Sequence, residues 1–339
     1  MFKRILSFLF LCIALNSASA QTLGGSSIYS FLKLNASPQS GSLGGRNVSA
    51  IRSELGMLNE NPALLSKTHH AQVSANFNFL APGITGFYGL GAYHVEKRDI
   101  NLALGVMHVQ YGQQDQTDAS GNSLGVFRAF DQMISVSASG TYSKKWQYGV
   151  TLKAVQSAYG PYRSLGLAGD VGLSYWDEEK KFRAGFSSRN MGSQLTTYAG
   201  KGEDLPFDLV LGISKELEKA PIRFSITAQR IHQFDILYND TLFTNENYGV
   251  SNPKSFLGKL ISHFVLGTEL LVGDKITVSA GYNILRSQEL RIRNIASGLT
   301  GFSYGIQLKL KRFDFNLARS QYLSSLSLNQ VSINMKLKP

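Results

Sequence analysis

The residues of this chain that could do chemistry do not gather at any spacing that a reaction requires. Its six histidines are His69, His70, His94, His108, His232 and His263. None stands in an H-E-x-x-H spacing, which removes the zinc-hydrolase helix, and they read instead as lumen-facing or loop histidines. Serine and asparagine are abundant, as a Ser-His-Asn hydrolase on a barrel wall would need. There is no G-x-S-x-G elbow, however, and nothing ties one serine to one histidine. Gly44-Gly45 and Gly89-Leu90-Gly91 look like fragments of phosphate-binding loops. Neither lies between a strand and a helix, so both read as points of close backbone approach. The single cysteine, Cys12, sits in a leader, which leaves the remainder without a thiolate nucleophile, a disulfide or a thiolate metal site. Neither an enzymatic activity nor a cofactor is expected, and no metal site.

That leader is residues 1–20. Lys3 and Arg4 precede an apolar run from Ile5 to Leu15, and Ala18-Ser19-Ala20 supplies small residues ahead of Gln21. This is the pattern of a secretory signal with an A-x-A cleavage site, and its apolar run is too short to span a bilayer. The net charge of +11 could suit nucleic acid, but the basic residues are scattered among turns and loops of an exported chain. They read as contacts to anionic outer-membrane lipid or acidic partners, with no nucleic acid.

Past the leader, no apolar run approaches the roughly 20 residues of a transmembrane helix. The 33 glycines, 20 phenylalanines and 15 tyrosines instead accompany half-apolar strands. Ala71, Val73, Ala75, Phe77 and Phe79 alternate with Gln72, Ser74, Asn76 and Asn78, and the runs 302–311 and 331–338 repeat the pattern. Fourteen such strands can be placed between residues 71 and 338. Only a closed barrel satisfies their backbone groups in hydrocarbon. The connections support this by parity. Every second one is short and charged, such as Glu96-Lys97-Arg98-Asp99, Lys144-Lys145 and Gly273-Asp274-Lys275, whereas 112–124, 192–206, 232–260 and 286–298 are longer and polar. The expected fold is all-β: a 14-stranded transmembrane outer-membrane β-barrel over residues 70–339 of a Gram-negative cell envelope.

Residues 21–69 remain, forming the expected N-terminal plug or hatch. They lack strand punctuation yet hold Ile28, Tyr29, Phe31, Leu32, Leu34, Leu43, Val48, Ile51, Leu55 and Leu58, which need burial. Within them Gly44, Gly45, Asn61, Pro62 and Ala63 form the most distinctive motif, with Asn61-Pro62 expected to turn the chain into the first strand. The longest outer connection, 232–260, mixes Phe234, Tyr238, Phe243, Tyr248 and Phe256 with Asn and Asp, and reads as a partner-binding loop or as a lid over its own barrel.

Several stretches together resemble a known family. Tyr29-Ser30-Phe31-Leu32, Leu43-Gly44-Gly45, Asn61-Pro62-Ala63-Leu64-Leu65, Leu205-Pro206-Phe207-Asp208, Pro221-Ile222-Arg223-Phe224, Gly281-Tyr282-Asn283 with Arg286 and Glu289-Leu290, and Gly301-Phe302-Ser303-Tyr304-Gly305 are similar to the PorQ family. These are outer-membrane barrels of the type IX secretion system, in the fatty-acid-transporter-like superfamily. The resemblance implies a fourteen-stranded barrel without catalysis, in a cell-surface attachment complex. There it would hold a PorZ-like surface protein near a PorU-like sortase and a PorV-like barrel, where cargo is joined to anionic lipopolysaccharide. The alternative is an outer-membrane transporter or channel for hydrophobic small molecules, with the plug as a hatch. Unlike many such barrels, the chain ends Met335-Lys336-Leu337-Lys338-Pro339 without a terminal aromatic residue.

Overall fold

Alternation becomes a closed wall of fourteen antiparallel strands, each paired with its neighbours in sequence and the last with the first. The computed structural model describes residues 27–198, 200, 202–237, 255–290, 298–323 and 325–337. The strands are β1 (Gln72–Ala81), β2 (Ile84–Val95), β3 (Ile100–Thr117), β4 (Ser123–Ser143), β5 (Trp146–Tyr159), β6 (Tyr162–Asp177) and β7 (Phe182–Thr196). They continue with β8 (Asp208–Glu216), β9 (Ile222–Ala228), β10 (Phe264–Val272), β11 (Ile276–Asn283), β12 (Phe302–Lys309), β13 (Phe313–Gln321) and β14 (Ser327–Lys336). Among the described residues three short α-helices accompany them: α1 (Pro38–Ser42), α2 (Phe256–Ser262) and α3 (Ile284–Glu289). No helix among the described residues is long and apolar enough to cross a membrane.

Side chains sort by parity. Asn76 on β1 is wholly buried while Phe77 and Phe79 face out, and on β8 Leu211 and Ile213 face out around a buried Gly212. The outer surface is thus a band of Leu, Val, Ile and Phe, the form that a hydrocarbon environment selects. Closure leaves no exposed sheet edge.

Of the boundaries that differ from expectation, two have a visible cause. Residues 112–124 are mostly strand, because β3 and β4 prolong their ladder past a register shift between Gln110 and Gln113. The bulge restores pairing beyond Gly112, whose φ of 73° only glycine adopts freely. The tenth strand starts at Phe264 because Ser255 caps α2, accepting a hydrogen bond from the Gly258 amide at 3.2 Å.

The charged turns all lie at the end where the chain enters β1, tied by Lys67–Asp99, Lys145–Asp177 and Lys181–Glu216 pairs at 2.7, 2.7 and 2.9 Å. We call this the inner end and the opposite one the outer end. Cysteine placed at exposed Asn122 should react with a membrane-impermeant maleimide on whole cells, and cysteine at exposed Asp274 only after lysis. Equal labelling of both in intact cells would overturn this orientation.

Candidate functional site

The interior is filled by residues 28–69, and the sequence explains how each face of that segment finds its wall. Phe31, Leu32, Leu55 and Leu58 pack against Tyr88, Leu90, Met107, Met133 and Val155, the inward side chains of β2 to β5. This side of the lumen is therefore apolar. The signal was present in Leu102 to Met107, where both strand faces are apolar.

The neighbouring wall of β13 and β14 is polar and converges on one carboxylate. Glu54 is buried, and its Oε1 accepts from the Ser37 hydroxyl and, at 3.0 Å, from the Gln39 amide. Its Oε2 accepts from Asn316, from Ser332 at 3.0 Å and from Asn334 at 3.3 Å, on β13 and β14. Burial raises the affinity of this carboxyl for a proton, and the donors around it act the other way, favouring the ionised form. Glu60 is gripped likewise by Arg46 at 3.3 Å and by Arg189 of β7 at 3.2 Å. These buried cations, with Lys153 at 2.6 Å from Asp170 and Arg223 between Glu216 and Glu269, correct the picture of basic residues confined to turns and loops.

Between these walls the plug backbone lies on glycine. Gly149 of β5 pairs with Gly172 of β6, Gly185 of β7 with Gly212 of β8, and Gly267 of β10 with Gly281 of β11. All six face inward onto the plug. A Cβ at Gly281 would sit 2.2 Å from the Gly44 nitrogen, one at Gly185 2.1 Å from the Val48 oxygen, and one at Gly149 2.4 Å from the Pro62 carbonyl carbon. Each cross-strand pair makes a bare patch two strands wide, against which another backbone can lie.

The motif residues sit at these patches. Gly44 and Gly45, with φ of 90° and 88°, close α1. The Gly44 carbonyl then accepts from Asn283 Nδ2 and Arg286 Nη2, both at 3.1 Å. Asn61 does not simply steer the chain into β1. Its Nδ2 donates to the carbonyls of Val48 at 2.9 Å and Leu173 at 3.2 Å, while its Oδ1 accepts from the Ala63 amide at 2.9 Å. It therefore clamps two passes of the plug to β6, and Pro62 and Ala63 start the short turn that packs on Gly149 and Gly172.

Above the plug, at the outer end, a cleft of about 330 Å³ opens. Lys33, Arg46, Arg230 and Arg286 line it against Asp208 and Glu289, with Phe207 and Tyr322 on its sides. Spacing along the chain carries no sign of it, because closure of the barrel alone brings residues 33 and 286 together. A second hollow, about 510 Å³, lies on the outward wall and is lined by Trp146, Leu173, Phe186, Leu211, Ile213, Ile226 and Phe264.

At the rim, Phe234 and Phe256 stack at 5.1 Å, and Phe256 and Leu257 of α2 stand 69% and 60% exposed. Tyr238, Phe243 and Tyr248 lie outside the described residues, as does the leader. The histidines stay apart in function. His69 bonds the Ser53 carbonyl at 3.0 Å, and burial lowers its imidazole below the usual range. His94 bonds Asn101 at 2.8 Å and His263 the Gln229 carbonyl at 2.8 Å. His108 faces outward beside Gln132 at 3.1 Å, not into the lumen, because it shares parity with Leu102 and Leu104. Among the described residues no three His, Cys, Asp or Glu side chains gather as a metal site.

No protein-family model and no curated protein matches the chain. Among solved structures it is similar to the TodX monoaromatic hydrocarbon channel, in a deltaS2 mutant, with a TM-score of 0.53 and 14% identity over 89% of this chain and 97% of that one. A Pseudomonas aeruginosa FadL homologue aligns with a TM-score of 0.49 and 10% identity over 90% of this chain and 98% of that one. At the identity of the TodX match, what is shared is the fold. The chain is a closed fourteen-stranded barrel with an N-terminal plug, in a fold similar to that of the TodX channel.

Proposed function

We propose that this barrel is a non-enzymatic outer-membrane component of the type IX secretion system, holding a PorZ-like surface protein near PorU-like and PorV-like partners. The observation that carries this reading is the plug seated backbone-on-backbone against three glycine pairs, which suits a fixed platform better than a hatch. The stretches that carry the PorQ resemblance meet at that seat: Gly44, Asn283 and Arg286 bond one another, and Pro206, Phe207 and Asp208 border the cleft above. The exposed rim of Phe234, Phe256 and Leu257 supplies apolar anchors of the kind that dominate binding energy.

Affinity capture from outer membranes tests the reading, with PorZ-like and PorU-like proteins expected to co-purify. Changing Phe234, Phe256 and Leu257 to Ser should leave the barrel inserted while a PorZ-like protein is released and cargo stays unattached. Three such anchors at about 1–2 kcal/mol each correspond to a loss of affinity of about 10² or more. Retention of the partner at wild-type barrel levels would remove this rim from the interface. A second reading, transport of hydrophobic small molecules, draws on the fold shared with a hydrocarbon channel and on the apolar hollow of about 510 Å³. It would be favoured if proteoliposomes carrying the barrel took up toluene faster than protein-free ones.

A further inference from the structure

The mouth cleft carries more positive charge than its own carboxylates answer. Arg46 is held by Glu60 at 3.3 Å and lies 3.9 Å from Asp208. Among the described residues, Lys33, Arg230 and Arg286 enter no ion pair. Arg286 is buried, and its guanidinium bonds the Gly44 carbonyl and Ser303 at 3.1 and 3.2 Å while stacking over Tyr322 at 4.3 Å. Its position is thereby fixed without neutralising its charge.

Arg230 is held in a different way. Its backbone adopts φ 52°, a left-handed conformation that a non-glycine residue keeps only when its surroundings impose it. Asp208 imposes it by accepting the Arg230 amide at 2.8 Å, which uses up a carboxylate oxygen on the backbone and leaves the guanidinium at the cleft. Asn190, also lining the cleft, has φ 55° and gives its amide to Asp170 at 2.8 Å. Partial loss of hydration, then the facing charges of Arg230 and Arg46, lower the affinity of the Lys33 amine for its proton, with the carboxylates of Asp208 and Glu289 acting the other way. The cleft thus concentrates like charge in a space of about 330 Å³ that opens to the outer end. A low-dielectric concavity of one sign draws the opposite ion, and guanidinium groups match the planar oxygens of carboxylate and phosphate.

We propose that this cleft binds a small organic anion, taking its carboxylate or phosphate between Arg230, Arg286 and Lys33. The site is independent of both readings of function given above, since it needs neither a protein partner nor an open lumen.

The test is calorimetric titration of the full barrel, in a neutral detergent at low salt, with inorganic phosphate, succinate, glucose 6-phosphate and glucose. Saturable binding of one equivalent is expected for glucose 6-phosphate and for phosphate or succinate, with none for glucose. Arg230→Gln should weaken it about tenfold and Lys33→Met several-fold, as loss of one charge-assisted contact predicts. Lys97→Met, in an exposed turn at the inner end, should leave it unchanged. All three variants should keep the wild-type heat-modifiability, so that a folding defect is read separately. Absence of saturable binding by every anion, equal binding of glucose, or wild-type affinity in Arg230→Gln would each overturn the site.

Discussion

Gly281→Val should unseat the plug. The added Cβ would stand 2.2 Å from the Gly44 nitrogen and 2.3 Å from the Leu43 carbonyl carbon, both backbone atoms that cannot swing aside. Overpacking against side chains costs about 1–3 kcal/mol, and a clash with main chain belongs at or above the top of that range. The expected result is a folded-barrel band that unfolds in detergent at a lower temperature, together with greater sensitivity of cells to large antibiotics. Gly202→Ala is the matched control, since a Cβ added there would meet nothing within 4 Å. Equal behaviour of the two variants would show that the plug does not depend on the bare glycine patch.

Glu54→Ala is expected to be as severe by a different route. It removes the shared acceptor of Ser37, the Gln39 amide, Asn316, Ser332 and Asn334, leaving five donors inside the barrel without it. Leaving a buried neutral donor without an acceptor costs about 1–3 kcal/mol. Glu54→Gln should fall between the variant and the wild type, because the amide keeps one oxygen but turns a donor toward other donors. Limited trypsin digestion reads the effect: cleavage after Arg46 or Arg52 should appear in Glu54→Ala and be absent from the wild type. Protection unchanged from wild type in Glu54→Ala would refute the role given to this carboxylate.

How much of this could be read from the chain depends on the range of the interaction involved. The wall was legible because side-chain alternation is local: Phe77 and Phe79 against Asn76 and Asn78 state their faces within a few residues. The need of Phe31, Leu55 and Leu58 for burial was legible too, though not their contacts with Met107 and Met133, since pairing across a lumen leaves no periodic trace. Isolated strand glycines such as Gly172 and Gly185 announce a close approach but not what approaches. The cleft is the extreme case. Lys33, Arg46, Arg230 and Arg286 look like ordinary basic residues until closure places them around one space.

The bonds of Glu54 also bear on the order in which the molecule can form. The residues that clasp it lie on β13 and β14, separated from it by 262 to 280 positions, and β14 is the strand that meets β1 to close the ring. Threading residues 28–69 in after that closure would require their backbone to pass side chains and then settle on glycine patches that allow no slack. Seating the segment before the seam between β1 and β14 closes avoids that passage. A ring closed in the wrong register would leave Asn316, Ser332 and Asn334 facing away from the carboxylate, so the same contacts distinguish a correctly joined seam from a slipped one.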